Sequence, residues 1–150
     1  MSETSHTELI ARAVVMHRGR ILLCRVKSKQ HYFLPGGHVE FGEDIRRALA
    51  REIKEELNVS LKTLRFIGIG ENTFRDGKKL HNELNIVFSG KLDRISNEAA
   101  EDHIEFHWIN TNKLTKIHAL PRKLMKSVIK WLKNGKAFSV SEEYLSRANS

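Results

Sequence analysis

Apolar and polar positions alternate along much of this chain, with two stretches that change to a helical period. Residues 9–16 read as a strand that stops at the turn His17-Arg18-Gly19-Arg20, and residues 21–26 read as its hairpin partner. Residues 27–31 form a polar loop. Residues 32–34 and 38–41 are predicted as short strands on either side of a Pro35-Gly36-Gly37 turn. Residues 61–74 make a long extended segment in which Gly68 and Gly70 are expected to be bulges. Asp76-Gly77 is a hairpin turn, after which residues 80–92 alternate and pair back. Residues 96–103 are an acidic loop, and residues 105–109 a further strand. The ends, residues 1–7 and about 141–150, are expected to be loosely ordered around one domain spanning 1–150.

The two helical stretches differ in character. In the later one, Leu120, Leu124, Val128, Trp131 and Leu132 make an apolar stripe, with Pro121 expected at the first helical position. Lys123, Lys126, Lys130 and Lys133 lie largely off that stripe. The earlier helix, residues 43–57, has Gly42 as its expected N-cap and Asn58 as a residue that tolerates a left-handed C-terminal cap. Glu43 and Asp44 suit its positive end. Measured from Glu52, Glu56 lies at roughly 40° around the helix and Glu55 at roughly 300°. Ile45, Leu49 and Ile53 fall at roughly 20°, 60° and 100°, so Glu52 and Glu56 stand inside the apolar arc. The order of elements is α+β.

Carboxylates on an apolar helix face are costly. Like charges at i,i+4 repel, and partial burial raises the cost. A hard divalent cation removes that cost, because Mg²⁺ or Mn²⁺ takes carboxylate oxygens. Glu52, Glu55 and Glu56 are therefore read as a metal site, and the glycine turn before the helix lets a backbone approach a ligand closely. A solvated face explains Arg47 and Lys54 but not Glu52 or Glu56.

The spacing Gly37-x5-Glu43-x7-Arg51-Glu52-Ile53-x-Glu55-Glu56-x-Asn58-Val59 resembles the Nudix box. The family pattern is Gly-x5-Glu-x7-Arg-Glu-apolar-x-Glu-Glu-x-Gly-apolar. Asn58 stands where the family usually has glycine, and asparagine is the next-best residue for that cap. A chance match of the six fixed letters is on the order of one in ten million per start position. The resemblance implies a mixed β-sheet sandwiched between α-helices. It implies a Mg²⁺-dependent (or Mn²⁺-dependent) hydrolase in which water attacks a phosphorus of a nucleoside diphosphate derivative. It makes Glu52, Glu55 and Glu56 metal ligands, with the Gly37 carbonyl as a further one, and it makes Arg51 and Glu43 the pair that holds the box in shape.

Other roles are open on the sequence. By the family resemblance the general base is either a box glutamate or one from a later loop or strand, where Glu71 and Glu83 are the candidates; either is also explained as a cross-strand surface residue. Arg25 follows the apolar strand 21–24 and is either a phosphate contact or an exposed strand charge. Gly36 and Gly37 would border the substrate, and His81 is a structural or substrate-facing residue, since Mg²⁺ prefers oxygen. Some Nudix subfamilies carry a proline or tyrosine about 16 residues after the box. Arg75, Asp76, Gly77 and Lys78 occupy that stretch here, and the absence of both markers points to a nucleoside triphosphate, as in MutT-like pyrophosphohydrolases.

Composition changes this picture in one respect. The chain has 150 residues, 40% hydrophobic and 29% charged, with a net charge of +8. Residues 109–141 hold Lys and Arg without any Asp or Glu, so the basic excess belongs to the later helix and its surroundings. A solvated face is one reading; attraction of a polyanion, a long phosphorylated ligand or RNA, is the other. No aromatic residues interleave the lysines, which weakens the nucleic-acid reading. A non-catalytic Nudix-fold nucleotide or RNA-binding module, or an RNA 5′-end pyrophosphohydrolase, is the alternative to a small-nucleotide enzyme. The intact Glu52, Glu55 and Glu56 set favours catalysis. No apolar run has the length of a membrane helix. The single Cys24 lies in an apolar run and is read as a buried structural thiol, so a reducing cytoplasm is the default compartment. The family resemblance leaves a homodimer open.

Overall fold

In the computed structural model, residues 6–143 are described. Strands β1 (Thr7–His17) and β2 (Arg20–Val26) join through Arg18-Gly19, both at positive φ, the turn that suits right-handed strand twist. β3 (Gly36–His38) precedes helix α1 (Ile45–Leu57), followed by the long hairpin of β4 (Leu61–Asp76) and β5 (Lys79–Leu92). β6 (Ile104–Asn110), helix α2 (Arg122–Asn134) and β7 (Phe138–Glu143) complete the order.

The strands form one mixed sheet in the order β6-β2-β1-β5-β4-β7, with β3 antiparallel on β1. β1 and β5 run parallel, as do β4 and β7. Alternation along β1 sends Ala11, Ala13 and Val15 to one face and Val14 to the other. Leu49, Ile53 and Leu57 of α1 pack on the first face, and Leu124, Met125 and Val128 of α2 on the second. The expected α+β sandwich of a mixed sheet between helices is what forms.

Several local expectations change. Residues 32–34 make only isolated bridges, Tyr32 to Ala119 and Phe33 to Cys24. The strand expected at 38–41 lies at Gly36–His38, and Phe41 is fully exposed. Helix α1 starts two residues late. Its N-cap is Asp44 rather than Gly42, because the Asp44 carboxylate accepts from the backbone N–H of Arg46 and Arg47, which glycine cannot do. Asp44→Ala is expected to cost about 1 kcal/mol, read as a lower urea midpoint at unchanged m-value. Asn58 is the left-handed C-cap, at φ 55°.

In β4 the register shifts fall between Lys62 and Arg65 and between Phe66 and Gly68, so Gly68 adjoins a bulge. Gly70 pairs regularly with Asn85; it is small because Leu124 of α2 packs on it. Pro121 sits one residue before the helix, as its N-cap. The tail expected to be loose from residue 141 is strand β7 through Glu143, and Thr7 already belongs to β1. Residues 1–5 and 144–150 lie outside the described residues. Among the described residues, no helix is long and apolar enough to cross a membrane. Cys24 is buried, with its Sγ 3.4 Å from the Phe33 carbonyl, and burial pushes its thiol pKa up, as expected of a structural thiol.

Candidate active site

Strand β3 and helix α1 meet face to face, and both glycines of the turn are required there. Gly36 has φ 139°, and a Cβ on it would lie 1.9 Å from the Ala11 carbonyl oxygen. At Gly37 a Cβ would come within 2.5–2.8 Å of the Glu52 carboxylate. The missing side chain is what allows Glu52 to lie against the backbone of β3.

Arg51 organises the acidic residues around it. It grips both oxygens of Glu43, Nε to Oε2 at 2.7 Å and Nη2 to Oε1 at 3.0 Å. Nη1 donates to Glu52 at 3.1 Å and reaches Glu55 at 3.3 Å, while Nη2 reaches the His38 carbonyl at 3.2 Å. One planar cation thus ties the turn ahead of α1, the middle of the helix and β3 together. The Glu43 carboxyl is held below its usual range by this contact. Lysine could not span these partners. Arg51→Lys is expected to lower divalent-cation affinity or activity about 10- to 100-fold, read by Mn²⁺ titration.

Glu56 is the stressed member. Burial, and then the charges of Glu52 and Glu101, push its carboxyl up to about 8. Its Oε2 is buried without a hydrogen-bond partner. Glu55 is half-exposed at the rim. Among the described residues no three ligand-type side chains already stand in a metal-binding constellation; Arg51 holds Glu55 and one oxygen of Glu52 to itself. A divalent cation nevertheless fits the donors present: all are oxygens, one is buried and orphaned, and Glu52 lies against a glycine backbone.

Beyond the box, a cleft of about 600 Å³ opens beside the sheet. Arg12, Asn72, Glu83, Phe33 and Phe74 line it. Glu83 is part-buried and accepts from Asn72 Nδ2 at 3.3 Å. Arg12 donates to Asn85 Oδ1 at 3.3 Å and to the Leu34 carbonyl at 3.0 Å, with its guanidinium over the Phe33 ring. Burial lowers its pKa, and the charges of Glu83, Glu56 and Glu52 act the other way. Arg12 is therefore the cation between the cleft and the box carboxylates.

Not every sequence candidate reaches this place. Glu71 pairs opposite Leu84, accepts from Ser141 of β7 and does not line the cleft. Arg25 is engaged by Glu105 at 2.8 Å across β2 and β6 and lies over Tyr32, so it is not at the cleft. His81 stacks on Phe74 and bonds Glu8 at 3.0 Å, and it does not itself line the cleft. Arg12 and Glu101 were not singled out by sequence. A signal existed for Arg12, a charge in phase with the buried Ile10 and Val14; none existed for Glu101, which loop 96–103 brings to Glu56.

Residues 7–132 match the model of the NUDIX domain. The chain belongs to the Nudix family. An ADP-ribose pyrophosphatase of Methanocaldococcus jannaschii is 33% identical over 135 residues, 87% of this chain and 77% of that one. A MutT-like protein of Streptomyces ambofaciens is 32% identical over 98 residues, 63% of this chain and 60% of that one. A crystal structure of a NUDIX hydrolase from Nitrosomonas europaea superposes with a TM-score of 0.73 at 15% identity, covering 95% of this chain and 82% of that one. This Nudix chain is an enzyme, a pyrophosphohydrolase. Nudix hydrolases generally work with divalent metal ions.

Proposed function

We propose that this Nudix hydrolase cleaves the diphosphate linkage of a nucleoside triphosphate, with Mg²⁺ or Mn²⁺ held by Glu52, Glu55 and Glu56 and the Gly37 carbonyl. The observation that carries this is the buried, unpartnered Glu56 Oε2 beside Glu52: the pair is unfavourable until a cation is shared. A divalent cation held by these residues would supply neutralisation of phosphoryl charge and a more acidic water. To join the other two as a ligand, Glu55 would exchange its bond to Arg51 for the cation, while Arg51 with Glu43 holds Glu52 against β3. Arg12 faces the phosphates from the cleft side. Water adds to phosphorus, the bridging P–O bond breaks, and the leaving phosphate takes the electron pair. Of the two carboxylates outside the box, we assign the proton of that water to Glu83, a reading supported by its position in the cleft beside Asn72. Phe33, beneath Arg12, and Phe74, stacked on His81, line the cleft where a base would lie.

A second reading, hydrolysis of ADP-ribose, is favoured by the 33%-identical relative from Methanocaldococcus jannaschii, an ADP-ribose pyrophosphatase. A panel of standard and oxidised nucleoside triphosphates, ADP-ribose, NADH, diadenosine polyphosphates and 5′-triphosphorylated RNA separates the two. Triphosphates are expected to give the highest kcat/KM. A preference for ADP-ribose by more than tenfold overturns the first reading in favour of the second.

A further inference from the structure

A second groove, of about 440 Å³, lies beside the cleft, between α2 and the segment leading into it. The two are contiguous, because His118 and Arg122 line both. Their characters differ. The floor of the second groove is apolar, with Met125 and Ile129 of α2, while Lys116, Arg122 and Lys126 stand exposed on its rim. Among the described residues no acidic one lines it, and residues 109–141 contain none. Among the described residues, none of these three cations is in an ion pair. Three unneutralised cations around one groove concentrate positive potential there.

The residues that the two hollows share bear on what can occupy the second. In the cleft, Arg12 feels the charges of Glu83, Glu56 and Glu52, and His118 and Arg122 belong to the cleft and the basic groove alike. A nucleotide with its 5′-diphosphate at the box and its nucleoside in the cleft would bring its far side toward the groove. Resting on the proposed nucleotide reading of the cleft, we propose that the Lys116–Arg122–Lys126 groove is a subsite for a phosphoryl group on the 3′ side of the substrate nucleoside. The source is either a nucleotide with a terminal 3′-phosphate or the second residue of a 5′-triphosphorylated RNA; the recognising chemistry is the same.

Calorimetry with nucleoside 5′-monophosphates and the matching 3′,5′-bisphosphates, for all four bases, tests this without turnover. The bisphosphate of the preferred base is expected to bind about tenfold more tightly than its monophosphate. In a Lys116→Glu, Lys126→Glu double variant that advantage is lost, while monophosphate affinity and circular dichroism are unchanged. Equal affinities in the wild type, or an advantage that survives charge reversal, overturn the proposal. A 5′-triphosphorylated trinucleotide weakened in parallel assigns the groove to RNA; if only the bisphosphate weakens, it belongs to a 3′-phosphorylated mononucleotide. Weakening confined to duplex DNA and long RNA marks a general polyanion surface and overturns the subsite. If no nucleotide binds, the reading of the cleft itself fails along with the subsite, whereas monophosphate binding without a bisphosphate advantage removes the subsite alone.

Discussion

Glu56→Gln is expected to lower kcat/KM by about three orders of magnitude, on the order of 4 kcal/mol of lost transition-state stabilisation. Glutamine keeps the shape and one carbonyl oxygen but removes the charge that, with Glu52, would hold the proposed divalent cation. The same substitution is expected to act on stability with the opposite sign. In the metal-free protein the Glu56 carboxyl is raised to about 8 from an ordinary 4.5, by burial first. The folded state therefore holds this proton more tightly than the unfolded chain. The stability it contributes is fully present below about pH 4.5 and is lost as pH rises through about 8. With EDTA present, the Tm of the wild type relative to Glu56→Gln should fall between pH 5 and pH 8 and then level. Adding Mg²⁺ at pH 8 should recover it. A wild-type minus variant difference that stays flat from pH 5 to 9 would show that Glu56 is not the stressed carboxylate.

Gly36→Ala is expected to have the largest effect on folding, at least about 3 kcal/mol. The Ala11 carbonyl stands 1.9 Å from where the Cβ would be, and φ 139° is a conformation essentially confined to glycine. Both partners are backbone, so no rotamer change relieves the contact. The β1–β3 pairing that sets Gly37 against Glu52 would separate. Gly42→Ala is the matched control. It also has positive φ, 81°, but nothing lies within 4 Å of the added methyl, so only about 1 kcal/mol is expected. Urea midpoints distinguish the two, and equal losses would contradict the geometry at β3.

The box was legible because its signal is local. Helical spacing alone puts Glu52 and Glu56 on the apolar face, and the same spacing brings Arg51 to Glu55. The β1–β2 hairpin and the β4–β5 hairpin were legible for a similar reason, since short turns join neighbours in sequence. What was missed depends on distant partners. Strand β7 shows only Phe138 and Val140 in alternation, and it becomes a strand through parallel pairing with β4. Arg25 is drawn from the cleft by Glu105, 80 residues away. Glu71 and Glu83 sit on adjacent paired strands as expected, yet their different registers send only Glu83 to the cleft. Asp44 outcompetes Gly42 as a cap through hydrogen bonds that glycine lacks.

The most direct test of the central claim is product release from nucleoside triphosphates and ADP-ribose as Mg²⁺ is titrated, with the wild type and Glu56→Gln run side by side. Turnover that requires the metal and falls about a thousandfold in the variant is the expected result. Turnover that persists in EDTA, or that Glu56→Gln leaves intact, would contradict a metal-dependent reaction at the α1 carboxylates.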